Sequence, residues 1–277
     1  MNKTNLKALV MIVAISMFAS NLFAQGAYAK FGFGYGLSFG TRTATSYTLS
    51  TTTNNQEAVN FTLGKGLNIE GAFGYMFNKN IGAELGISYL IGGKTEIISS
   101  YLFMSGTTLL GIVNDSHTLS AKMLRINPTF VIKTDFEKIN PYTKFGIIIG
   151  IGSLTDDNQT TYFSGDIRKY KNIFNGGIAI GFNAGAGVLY SLSDKISFFG
   201  ELNMINMSYA PTKGEITECS YNGVDQLPNM TTQDKETEYV DSYDAMAVIP
   251  TSSPDKEIKD KIPFGSFGVN FGVKINL

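Results

Sequence analysis

Long period-2 alternation is the feature that most constrains what this chain can fold into. From Ala29 the odd positions read Ala29, Phe31, Phe33, Tyr35, Leu37 and Phe39, while the even ones read Lys30, Gly32, Gly34, Gly36, Ser38 and Gly40. At the far end Phe267, Val269, Phe271, Val273, Ile275 and Leu277 alternate with Gly268, Asn270, Gly272, Lys274 and Asn276. Successive side chains of a strand point to opposite faces, so each segment carries one bulky apolar face and one small, polar face. A soluble strand needs only about 5–6 residues of such a pattern, whereas a tilted transmembrane strand needs roughly 9–11.

Six more segments fit between these two, at 61–77, 81–91, 121–133, 141–152, 178–191 and 196–207. Their apolar faces hold residues such as Ile69, Ile87, Phe130, Ile147, Phe182 and Leu202; the opposite faces hold Glu70, Glu84, Arg125, Lys144 and Glu201. Pro128 lacks the N–H that an interior strand needs, so a bulge or a locally frayed ladder is expected there. The connections alternate too. Asn78-Lys79-Asn80, Thr134 to Asn140 and Ser193-Asp194-Lys195 are short polar turns, whereas 41–60, 92–119, 153–177 and 208–262 read as long loops. The last of these holds eleven Asp and Glu against five Lys and is expected to be a mobile or partly disordered acidic loop.

In hydrocarbon every unpaired backbone polar group costs several kcal/mol, so strands cross a bilayer only as a closed barrel. The bulky face would be an extreme exposed patch in water, and the Gly-rich face is too small and polar to make a dry core. A soluble barrel would reverse the two. The expectation is an all-β, antiparallel up-and-down transmembrane β-barrel of about eight strands, with short periplasmic turns and long extracellular loops. Tyr28, Tyr75, Phe77, Tyr89, Tyr142 and Tyr190 fall near strand ends and are assigned to the aromatic girdles. Residues 1–24 read as a cleavable signal peptide, with Lys3 and Lys7 ahead of an apolar run from Ala8 to Phe18 and Ala24 before Gln25. Residues 25–277 then form a single barrel domain.

These features together resemble small outer-membrane barrels typified by OmpA, OmpX and OmpW. The resemblance rests on pattern over residues 27–277, without a diagnostic motif. It implies residence in the cell outer membrane, contact with outer-membrane lipid and lipopolysaccharide, and a C-terminal assembly signal read by the barrel-assembly machinery. Phe271, Val273, Ile275 and Leu277 stand in that place, although the family usually ends in an aromatic residue. A monomer is expected.

Composition narrows the function. A net charge of -1 leaves no basic footprint for nucleic acid. One Cys (Cys219) and one His (His117) remove a disulfide framework and the usual His-rich metal sites. Gly32-Phe33-Gly34 is followed by no helix, so it is no phosphate loop, and no cofactor is expected. The lumen should collect Lys30, Glu70, Glu84, Arg125, Lys144, Glu201 and Lys274, with Glu70, Arg125 and Glu201 near mid-height and the others nearer the periplasmic rim. Four positive and three negative charges in so narrow a space should pair. They could form a structural plug, or a gate in which Arg125 exchanges Glu70 and Glu201 as partners. Asp115, Ser116, His117 and Ser120 raise the question of a lipid-modifying enzyme, but neighbours in sequence do not make a catalytic triad, and the chain is read as non-enzymatic. Asp156, Asp157, Asp241 and Asp244 lack the spacing of a Ca²⁺ loop. The expected role is structural or surface-interacting, with a small passive channel for hydrophilic or amphipathic solutes as the alternative.

Overall fold

The computed structural model describes residues 26–49, 54–105 and 108–277; the signal-peptide assignment of residues 1–24 lies outside them. Strand β1 (Ala27–Ser38) is followed by a hairpin of β2 (Arg42–Leu49) and β3 (Asn54–Phe61) before the chain returns as β4 (Gly66–Met76). A short turn leads to β5 (Ile81–Gly92), then β6 (Thr95–Ser105) and the long β7 (Thr108–Lys133) and β8 (Ile139–Thr161). Next come β9 (Ile167–Asn175), β10 (Ala179–Ser191), β11 (Ile196–Tyr209) and β12 (Lys213–Tyr221). The closing stretch holds β13 (Val224–Asp225), a 3₁₀ turn (Leu227–Asn229), a one-turn helix (Thr232–Lys235), β14 (Glu236–Val240), β15 (Asp255–Ile258), β16 (Ile262–Pro263) and β17 (Ser266–Asn276).

Eight of these strands close on themselves, in the order β1, β4, β5, β7, β8, β10, β11, β17 and back to β1. They are the eight alternating segments of the sequence. Every neighbouring pair is antiparallel. Partner by partner, the circuit runs Tyr28, Gly74, Glu84, Thr129, Gly146, Asn183, Ile205, Ser266 and arrives at Ser38, ten residues along the strand from its start. With about 4.8 Å between strands and about 3.3 Å rise per residue, that stagger inclines the strands by about 40°. A barrel of this size is just wide enough for side chains to fill.

The short turns are built by their own side chains. Asn78 Oδ1 accepts from the N–H groups of Asn80 (2.9 Å) and Ile81 (2.8 Å), and Ser193 Oγ accepts from those of Lys195 (3.3 Å) and Ile196 (3.1 Å). The Leu277 N–H donates to Ala27 O at 3.0 Å, tying the last residue to the first strand. At Pro128 the β7–β8 pairing lapses between Ile126↔Ile149 and Thr129↔Gly146 and resumes in the same register. The ladder is frayed there, without a bulge.

The faces fall as the alternation requires. Phe31 is 61% exposed on the outside, with Ile87, Phe130, Phe182 and Phe271 around the same belt, while Lys30, Glu84, Arg125 and Glu201 are buried within. Such a belt is stable only against hydrocarbon. Phe77, Tyr89 and Tyr190 are exposed near strand ends, as girdle residues should be. Tyr28 and Tyr142 are not: both are buried in the lumen, because they sit on the Lys30 and Lys144 face of their strands.

The long connections also depart from expectation. Among the described residues they are largely strand: β2, β3, β6, β9, β12 and β14, with β7 and β8 running on past the barrel wall, form a sheet above the outer mouth. The acidic stretch 208–262 is part of it, with β12 pairing β9 and β14, and β14 pairing β15 in parallel. Its apolar contacts are scattered, such as Phe103 with Phe163 and Phe174 with Tyr239, and make no continuous alternation to read. We expect Ile87→Arg, which puts a cation at the lipid belt, to cost about 2–4 kcal/mol. The check is the urea midpoint of refolding into vesicles; an unchanged midpoint would contradict the outward face.

Candidate functional site

The lumen is layered, and its lower layer is ionic. Lys30 projects from β1 with Nζ 3.4 Å from Glu84 Oε2 on β5 and 3.8 Å from Glu201 Oε2 on β11. Lys144 on β8 reaches Glu201 Oε1 at 2.9 Å. Two tyrosines complete the carboxylate shells: Tyr28 OH donates to Glu84 at 3.0 Å and Tyr142 OH to Glu201 at 2.8 Å. Lys30 also lies over the Phe199 ring, 4.4 Å from its centroid, and Lys274 over the Tyr28 ring at 4.0 Å. Lys274 directly opposes Lys30 across β1 and β17, and its ring contact spreads the charge where a second carboxylate is missing. Val131 and Leu189 pack beneath with Tyr142 and Phe199.

Above this layer, Arg125 and Glu70 stand apart from each other. Arg125 is 1% exposed and donates to Asn68 Oδ1, while Glu70 accepts from Asn270 Nδ2 at 3.1 Å. Nε and Nη1 of Arg125 have no protein partner. A void of about 20 Å³ beside Glu70, Ser88 and Asn127 has room for about one water. Of the seven predicted lumen charges, the structure joins Lys30, Glu84, Lys144 and Glu201 in one network. It sets Lys274 on an aromatic ring and leaves Arg125 and Glu70 on separate amides. Glu201 lies in the lower layer, not near mid-height. Counting residues from the turns ignores the tilt, and the ten-residue stagger displaces levels from strand to strand.

The upper layer is apolar, against the expectation that the inner face could make no dry core. Leu90, Met123, Ile148, Ile205, Met207 and Tyr209 point inward from the wall. Leu63 and Phe264 are inserted from the segments that precede β4 and β17. Those segments brace one another: Leu63 N–H donates to Pro263 O at 3.0 Å, and the Thr62 hydroxyl reaches the carbonyls of Pro263 (2.9 Å) and Gly265 (3.0 Å). Phe264 meets the Tyr209 ring edge-on, with centroids 5.6 Å apart, and Tyr209 OH donates to Gly176 O at 2.6 Å. A sequence signal existed. In Tyr89-Leu90-Ile91 and Ile147-Ile148-Ile149 both faces turn apolar, which marks where the lumen stops being polar.

Beyond the mouth, His117 lies on the inner face of the extended β7. Its Nδ1 is 2.9 Å from Asp156 Oδ2 and its Nε2 3.3 Å from Asp115 Oδ2; Asn158 is also in reach at 3.0 Å. Ser116 faces the other way and donates to Glu96 at 3.1 Å. Ser120 shares that outer side by alternation, so neither serine stands beside the imidazole. The hydrogen bond to Asp156, then the charges of Asp156 and Asp115, raise the His117 pKa above its ordinary value, against partial burial. Asp241 pairs with Lys259 at 3.2 Å and Asp244 accepts from the Met246 N–H at 3.0 Å. Cys219 is a free, buried thiol.

The profile of the outer membrane protein beta-barrel domain matches residues 8–227. No curated protein matches the sequence. Two solved structures of Ail, the attachment invasion locus protein of Yersinia pestis, align at 10% and 9% identity, each with a TM-score of 0.27. They cover 91% and 90% of this chain and 100% and 98% of their own; the first is a complex with the heparin analogue sucrose octasulfate.

Two outcomes are expected. Glu201→Ala strands Lys144, whose ion pair is with Glu201, and should cost about 3–5 kcal/mol, whereas replacing Lys144 and Glu201 together by Met and Leu should recover most of it, as read from urea unfolding. His117, whose folded pKa is raised, contributes stability that is complete below its ordinary value of 6.5 and is lost as pH rises through the raised value. Protease shaving of intact cells should therefore cut the outer sheet faster at alkaline than at mildly acidic pH. In His117→Asn that difference should vanish.

Proposed function

The chain belongs to the outer membrane protein beta-barrel domain family and lies in the bacterial outer membrane, and from that premise we propose that it is a sealed anchor displaying an extracellular β-sheet for surface interaction. The observation that carries this is the apolar layer of Leu63, Leu90, Met123, Ile148, Tyr209 and Phe264 across the outer mouth. Ions and sugars lose their hydration in such a layer, and its hydroxyls, those of Tyr209 and Thr62, are already bonded to backbone carbonyls. Beneath it, the Lys30–Glu84 and Lys144–Glu201 pairs act as a structural plug, filling an eight-strand lumen that has little spare width.

The outward belt contacts lipid and, at its outer rim, lipopolysaccharide. Phe271, Ile275 and Leu277 are exposed along β17 and its end, where they present an apolar row to the assembly machinery. On this reading the protein works as a monomer without catalysis, and what supports the second point is that neither Ser116, bonded to Glu96, nor Ser120 stands beside His117.

Planar-bilayer recording tests the seal. The intact protein should give no reproducible conductance steps, and Leu63→Ser with Phe264→Ser should let them appear. Regular steps from the unmodified protein would favour a passive channel and end the anchor reading.

A further inference from the structure

On the inner face of the extracellular sheet, β9, β12 and the segment 226–235 line an open cavity of about 740 Å³. Register fixes where its wall points. Thr160, Asn158 and Asp156 continue the inward row of β8 and pair with Arg168, Tyr170 and Asn172 of β9. These oppose Tyr221, Cys219 and Ile216 of β12. A cation, an aromatic ring and an amide therefore stand in file above the sealed mouth.

Arg168 is stacked on Tyr170, its guanidinium carbon 4.5 Å from the ring centroid. Among the described residues it makes no ion pair with a carboxylate. The neighbouring acids are occupied. Asp234 accepts from the N–H (3.0 Å) and hydroxyl (2.6 Å) of Thr231, Asp225 from the Leu227 N–H (2.9 Å), and Asp166 from Asn222 (2.7 Å) and Ser164 (2.7 Å). The guanidinium is thus preoriented by the ring, with its planar fork of donors unclaimed.

The rest of the lining narrows the ligand. Asn172, Gln226 and Asn229 each carry an amide that can both donate and accept, matching hydroxyl groups that do the same. Ile216 and Met230 offer apolar surface for a C–H face, and the volume is that of an ordinary small-ligand site. We propose that this cavity binds a saccharide bearing a carboxylate, with Arg168 gripping the carboxylate and the amides reading the hydroxyls. The proposal deepens the surface-interaction reading and rests on it.

The test uses the full-length protein folded in detergent, with D-glucuronate, D-glucose and acetate as probes, followed by saturation-transfer NMR and titration calorimetry. Glucuronate should bind, and glucose and acetate should each bind about tenfold more weakly or worse. Arg168→Gln should lose about tenfold in glucuronate affinity while keeping the heat-modifiable folded band, and Arg168→Lys should fall between, since it keeps the charge without the fork. Equal binding of glucose, equal binding of acetate, no binding at all, or an indifferent Arg168→Gln would each overturn the site. The anchor reading stands or falls separately, on conductance.

Discussion

Backbone hydrogen bonding in a medium without water is the constraint from which the rest of this structure follows. Each strand must give its N–H and C=O groups to a neighbour on both sides, so the sheet closes. Closure at eight strands with a ten-residue stagger sets the tilt and the narrow bore. The bore in turn decides that inward side chains touch one another across it. Lys30 can reach carboxylates on β5 and β11 because no point of the wall is far from any other.

Within that bore two kinds of packing divide the labour. The ionic layer satisfies charges that the inward face brings with it. Tyrosine hydroxyls and aromatic rings supply what the unequal count of cations and anions leaves over. Such a network holds together tightly when one partner is removed from it only at high cost, yet it contributes modestly to stability when intact. The apolar layer above contributes the larger share of the stabilisation. It depends on two segments outside the barrel strands, bound to each other through Thr62, Leu63 and Pro263. The members of this layer arrive from distant points in the chain.

Above the membrane the same strands serve a different purpose. β7 and β8 continue beyond the wall, β6 pairs on β7, β9 on β8 and β12 on β9, so the polar segments gain order mainly by edge-to-edge pairing. The sheet is positioned by its continuity with the barrel and by Leu119, Leu154 and Phe174, which pack on the apolar layer below. Local clusters such as His117 with Asp115 and Asp156 then pin neighbouring strands where packing is thin.

The sequence alone determined the barrel: eight strands, their faces, the side of the short turns and the burial of Lys30, Glu84, Arg125 and Glu201 were all legible, because period-2 alternation directly records which face meets lipid. The frayed ladder at Pro128 was legible for the same local reason. Tyr28 and Tyr142 were misassigned where position near a strand end was allowed to outweigh the face they occupy. Only the tertiary structure decided the partners within the lumen, since tilt and stagger bring together residues such as Lys144 and Glu201 whose levels cannot be counted from either turn. It also decided the apolar layer and the outer sheet. Leu63 and Phe264 meet only once the barrel has closed around them, and the polar strands pair only because β7 and β8 already stand beside them.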